Sequence, residues 1–243
     1  MMKKILLIVA ILFTNIFTAQ QNNIYVEYSV KIYDEEIMKN IDSDFRRMFV
    51  KAMENAENIS FGLPITKSGS KFYENPRMAK SVNENFSVGL TVFTGHTGEV
   101  FQYLNNLYKY SPTLGKDVMV KEDLVNNWEL HNETKLIDNY LCYKATNVNR
   151  VDNGSGRIFN HPVIAWYCPQ LPYSYGPNGY SNLPGLILQL QVRNVVFAIK
   201  KMDLNSDLDF DASFLKTVKT ISLQQLNKKI EDEMELLGKS LGQ

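Results

Sequence analysis

Residues 140–168 read YLCYKATNVNRVDNGSGRIFNHPVIAWYC. Two runs rich in aromatic and β-branched residues, 140–148 and 158–168, flank Asp152-Asn153-Gly154-Ser155-Gly156. Apolar runs of this kind suit strands, and all five central residues favour turns. The pattern predicts an antiparallel hairpin. A loop centred near residue 155 puts Tyr143 across from Tyr167, Ala145 across from Ala165 and Cys142 across from Cys168. A two-residue turn at Asn153-Gly154 puts Cys142 across from Ala165 instead and exchanges the side-chain faces. The longer loop is preferred, because every residue from 152 to 156 is a turn-former.

Working outward, the chain repeats the same device. Residues 186–191 and 195–202 flank Arg193-Asn194. Upstream lie shorter strand candidates at 128–130, 135–137, 117–121, 107–110, 98–104, 70–74 and 59–66, with turns expected at Lys67-Ser68-Gly69 and Asn105-Asn106. Residues 24–33 alternate apolar and polar side chains, the period of a half-buried strand. At Asp34 the period changes. Ile37, Ile41, Phe45, Met48, Phe49, Ala52, Met53 and Ala56 recur at spacings of three and four, which predicts a helix over 35–57 capped by Asp34. A second helix starts at Ser222, with Gln225 in the capping-box position and an apolar stripe of Leu223, Leu226, Ile230, Met234, Leu237 and Leu241. The expected fold is α+β and mainly β. It is a strongly twisted antiparallel sheet, half-barrel-like, with one helix after the first strand and one at the C-terminus.

The N-terminus carries Lys3 and Lys4, then an uninterrupted apolar run from 5 to 13, then Ala19 before Gln20. That is the layout of a secretory signal peptide over 1–19, too short in its apolar part to span a bilayer. No Cys lies near the cut, so a lipid-anchored N-terminus is not expected. No later stretch reads as a transmembrane helix. Residues 20–243 show no repeat and no Pro/Gly/Ser linker, so they are expected to form a single domain, exported and soluble in the periplasm or outside the cell.

The 243 residues contain 26 basic and 26 acidic side chains. Removing Lys3 and Lys4 leaves the mature chain slightly acidic, which argues against nucleic acid as a partner. Hydrophobic residues at 44% exclude a disordered chain. Catalytic signatures are missing: there is no GxSxG, P-loop, GxGxxG or HExxH. His96, His131 and His161 lie at no metal-ligand spacing. Asp207, Asp209 and Asp211 lack the remaining ligands of a calcium loop. No enzyme activity, cofactor or metal is expected.

Four blocks, WELHNETKLIDNYLCYKAT (128–146), AWYCPQLP (165–172), Gly176-Pro177 and LPGLIL (183–188), resemble the C-terminal half of the GLPGLI family. The resemblance implies a secreted protein of a Gram-negative bacterium, in a family of unknown function with no established catalytic residue. Asn182 stands where that family's name has its first glycine. The motif also has a physical reading. Leu183 precedes proline and is pushed toward extended backbone. Pro184-Gly185 fits the centre of a type II turn, and Asn182 tolerates a left-handed conformation.

The neighbouring loop carries Tyr173, Tyr175, Pro177 and Tyr180. Tyrosines on a turn-rich loop held by a rigid sheet are the candidate binding surface. In an exported protein Cys142 and Cys168 are a candidate disulfide, the alternative being two separate buried thiols. The expected function is a non-catalytic binding protein of the bacterial envelope, with an envelope or extracellular protein as partner. The alternative is a carrier holding a lipid or other apolar ligand between sheet and helices.

Overall fold

The structure is a computed structural model that describes residues 23–40, 42–76, 93–111, 114–115, 117–152 and 157–241. The leader 1–19 and the hairpin tip 153–156 lie outside the described residues. Among the described residues, twelve strands form one open, mixed sheet. In chain order they are β1 (Ile24–Ile32), β2 (Ser60–Thr66), β3 (Gly69–Glu74), β4 (Val100–Tyr103), β5 (Asn106–Tyr110), β6 (Val118–Asp123), β7 (Glu129–Ile137), β8 (Tyr140–Asp152), β9 (Ile158–Cys168), β10 (Leu186–Val192), β11 (Val195–Asp203) and β12 (Lys219–Ser222). The spatial order is β12-β6-β5-β4-β3-β2-β1-β11-β10-β9-β8-β7. All neighbours run antiparallel except β12, which lies parallel to β6.

β1 sits near the centre, and its alternation sets the two faces. Ile24, Val26, Tyr28, Val30 and Ile32 are buried on one face, while Tyr25, Glu27, Ser29 and Lys31 point to the other. Across β1 the register places Leu63 and Phe61 beside Val26 and Tyr28 on one side, and Phe197 beside Val30 on the other. Phe61 stacks on Phe72 at 5.1 Å and meets Phe197 edge-on at 5.5 Å. These rings fill the main core. The opposite face carries a second cluster at the β4–β6 end, where Phe101, Tyr108 and Met119 are covered by Ala212 and Leu215. The segment after β11, which carries Asp207, Asp209 and Asp211, therefore contributes a lid through Phe210, Ala212 and Leu215. Its Asp211 binds the backbone N–H of Ser213 at 2.7 Å and starts a short 3-10 turn, Ser213–Lys216.

The β8–β9 hairpin adopts the long-loop register: Tyr143 pairs with Tyr167 and Ala145 with Ala165. The expected strand pieces at 128–130 and 135–137 are one strand, β7, with a bulge between Leu130 and Thr134. That bulge lies on an edge strand, where it and the Glu133–Lys144 pair discourage further strand addition. The β4–β5 turn falls one residue earlier than expected. Tyr103 pairs with Asn106, so the turn is Leu104-Asn105, both left-handed with φ of 46° and 61°. Two left-handed central residues match the right-handed twist of a two-residue hairpin.

The expected helix over 35–57 is broken in two, α1 (Glu36–Lys39) and α2 (Ser43–Asn55). Asp42 caps α2, accepting from the N–H groups of Asp44 at 2.9 Å and Phe45 at 3.3 Å. The short polar side chains around residue 42 compete for backbone hydrogen bonds and end α1. Asp34 is not a cap. It forms a two-pronged pair with Arg46 at 2.6 and 2.7 Å. Phe49, Ala52 and Ala56 face the core, whereas Phe45 stays 38% exposed. The C-terminal helix, α3 (Leu223–Leu241), begins with the expected capping box. The Ser222 N–H donates to Gln225 Oε1 at 2.8 Å, and the Gln225 N–H donates to Ser222 Oγ at 3.2 Å. Of its stripe, Leu226 is buried and Ile230 half-buried, while Leu223 is exposed.

Candidate functional site

The tyrosine loop lies over the main core. Pro177–Gly179 form a 3-10 turn in which Asn178 takes φ 52°. Pro177 and Gly179 are buried, and the rings of Tyr173, Tyr175 and Tyr180 pack against the core while remaining half-buried. Tyr180 meets Trp128 edge-on at 6.2 Å, and Trp128 Nε1 donates to the Ser181 carbonyl at 2.8 Å. Burial pushes the Tyr180 hydroxyl up to about 12. Asn178 Oδ1 lies 3.3 Å from Nδ1 of His96. That histidine is buried between Phe61 at 4.9 Å and Phe72 at 5.3 Å, and burial lowers it to about 4. The loop's three rings thus border the main core, and Tyr180 also meets Trp128.

The motif turn follows directly. Asn182 is left-handed, φ 66°, as its sequence position implies. Its side-chain amide donates to the Val125 carbonyl at 3.2 Å and to Asn126 Oδ1 at 2.8 Å. Leu183 is buried. Pro184-Gly185 do not form the expected type II turn. The Gly185 N–H donates to the Leu183 carbonyl at 2.8 Å, a γ-turn centred on Pro184. Leu186 instead donates to Leu171 at 2.9 Å. Gly185 takes φ 153°, well away from the value a type II turn needs, and a Cβ there would lie 2.1 Å from the Cys168 carbonyl oxygen, so only glycine fits. The turn is pressed against the end of β9.

The structure also shows a surface that motif reading passes over. Leu141, Tyr143, Tyr167, Pro169 and Gln170 line an open groove of about 350 Å³ on the same sheet face as the main core, beyond the tyrosine loop. Tyr143 and Tyr167 are cross-strand partners with ring centroids 6.2 Å apart, tilted by 33°. Leu136 pairs with Leu141, so both point to this face; they are 71% and 40% exposed. Leu130, paired with Ala145, adds a third exposed side chain. The hairpin register carried the signal for this surface, since it already placed the two tyrosines together. A separate polar hollow of about 370 Å³ is lined by Asn105, Asp123, Leu124, Asn126 and Asn182. Its Asn126 and Asn182 amides are hydrogen-bonded to each other.

On the other face of the same strands, Cys142 and Cys168 are both buried with free thiols. Lys135, paired with Cys142, sends its Nζ to Gln189 Oε1 at 2.8 Å and over the Trp166 ring at 4.3 Å. Among the described residues no three His, Cys, Asp or Glu side chains gather as a metal site. His131 contacts Thr146 Oγ1 at 2.7 Å, and His161 stacks on Phe159 at 6.3 Å.

A family model described as a protein of unknown function (Porph_ging) matches residues 155–189, which include AWYCPQLP, Gly176-Pro177 and LPGLIL. No curated protein matches the chain. Among solved structures, PNGF-II in one crystal form superposes with TM-score 0.50 at 13% identity, covering 85% of this chain and 32% of PNGF-II. A second crystal form gives 0.48 at 14%, covering 86% and 32%. A LolA-superfamily protein from Nitrosomonas europaea gives 0.30 at 9%, covering 80% of this chain and 90% of that one. The chain spans about a third of PNGF-II, and that likeness is one of fold. The matched residues span β9, the tyrosine loop and the first part of β10.

Proposed function

We propose that this is an exported, non-catalytic binding protein that holds an envelope or extracellular polypeptide in the Leu141–Tyr143–Tyr167 groove. The observation that carries the reading is the groove itself. It is open, about 350 Å³, and continuous with the exposed Leu136 and Leu141. Side chains of that size are normally covered when they cluster, and an uncovered cluster marks an interaction surface. Paired tyrosines supply broad apolar faces and hydroxyls at low entropic cost, which suits recognition of a chain. Export rests on the leader-like residues 1–19 and on the GLPGLI resemblance. No helix among the described residues is long and apolar enough to cross a membrane. The half-buried tyrosine loop, with Tyr173, Tyr175, Pro177 and Tyr180, would act as the rigid wall beside the groove and not as its contact surface.

The carrier reading keeps one specific support: the groove also has the volume and apolar lining for part of an acyl chain. Against it, the space between β1, β2, β3, β11 and α2 is occupied by Tyr28, Phe49, Phe61, Phe72 and Phe197. Native mass spectrometry of protein released gently from its own compartment separates the two. A polypeptide adduct on a chain starting at or near Gln20 is the expected result. A bound lipid mass would transfer the groove to the carrier reading, and a chain retaining Met1 would contradict export.

A further inference from the structure

We propose that Cys142 and Cys168 are joined by a disulfide formed while the chain folds, a permanent staple between β8 and β9. The register gives the geometry. Tyr143 pairs with Tyr167, and one position further along the same register sets Cys142 opposite Cys168. Directly opposed residues in an antiparallel pair have Cα atoms about 4.5–5.5 Å apart, inside the range a disulfide spans. Both side chains lie on one face. Cys142 is partnered by Lys135 and Cys168 by Leu186, and neither thiol is accessible to solvent.

The surroundings fix when the bond forms. Burial, with Cys168 next to it, pushes the Cys142 thiol up to about 12. Thiolate is therefore scarce in the folded, reduced protein, and both cysteines are closed to solvent. The reaction belongs to the folding chain, whose thiols are open. One thiolate attacks the disulfide of an oxidant, a thiol–disulfide oxidase or a small-molecule disulfide, and forms a mixed disulfide. The second thiolate displaces the leaving thiol. Two electrons and two protons pass to the oxidant, which leaves as two thiols. Once the sheet is formed, the same burial shields the bond from reduction.

The staple also ties down the motif turn, because Gly185 rests against the Cys168 carbonyl. The whole protein, unfolded and reduced, then refolded in mixed reduced and oxidised glutathione, tests the bond independently of export. Non-reducing peptide mapping should recover the Cys142 peptide linked to the Cys168 peptide. Protein refolded and melted in reductant should have a Tm about 10 °C below that of protein refolded with the bond, a difference absent from the C142A/C168A double variant. Two alkylatable thiols, a glutathione adduct on either cysteine in place of the link, or a Tm indifferent to reductant would overturn the proposal.

Discussion

Gly185→Ala should destabilise the protein by at least about 4 kcal/mol, in the range reserved for backbone conflicts that cannot relax. Two costs coincide at this position. The residue holds φ 153°, which side-chain-bearing residues rarely adopt. The new methyl would also sit 2.1 Å from the Cys168 carbonyl oxygen and 2.8 Å from Pro169 N. Both obstacles are backbone, so no rotamer change clears them. Relief would require β10 to shift against β9 and would draw Leu186, Ile187 and Leu188 out of fully buried positions. Urea unfolding of the variant beside wild type measures the loss. A difference under about 1 kcal/mol, the cost of an ordinary surface glycine change, would mean that the LPGLIL bend is not built this way.

A second large effect comes from acid. Burial holds His96 at about 4, against 6.5 when exposed, although the Asn178 hydrogen bond and Glu99 act in the opposite direction. The sign follows from proton uptake. Between pH 6.5 and 4 the unfolded chain binds a proton at this position that the folded protein refuses. Stability from this group is complete above pH 6.5 and is lost as pH falls through that window, by about 3 kcal/mol at most. His96→Gln keeps a side chain able to reach Asn178 and removes the titration. Its stability should fall less steeply than wild type from pH 7 to 4. Parallel curves for the two proteins would show that His96 is not the acid-sensitive group.

Period-2 alternation made β1 legible, and the run of turn-formers from 152 to 156 chose the hairpin register that pairs Tyr143 with Tyr167. Ser222 and Gln225 announced their capping box because that device is local. Asn182 likewise takes the left-handed backbone its position beside Leu183-Pro184-Gly185 suggests. What escaped was decided by contacts far apart in sequence. A 3.6-residue period runs smoothly through residue 41, yet Asp42 caps a fresh helix there and Asp34 is claimed by Arg46. Phe210, Ala212 and Leu215 follow no regular apolar period, and the face of β4–β6 that they cover gives them a place. The γ-turn at Pro184 replaced a type II turn because Leu186 finds its partner in Leu171, fifteen residues away. The groove had no motif to announce it. Its lining is strand sequence with Pro169 and Gln170 beyond the end of β9, and its character comes from the exposure of Leu136 and Leu141.

The Leu136–Leu141–Tyr143–Tyr167 face is proposed to engage a polypeptide partner in the protein's own compartment. Site-specific photo-crosslinking in the producing cell tests it most directly, with a benzophenone side chain at position 136 or 141 and, as control, at position 104. Leu104 is 70% exposed, matching the 71% of Leu136, but caps a hairpin elsewhere in the sheet. A discrete polypeptide adduct is expected from 136 and 141, lost in the Tyr143→Ala background and absent from 104. Identical product patterns at all three positions, or no polypeptide adduct at 136 and 141, would contradict it.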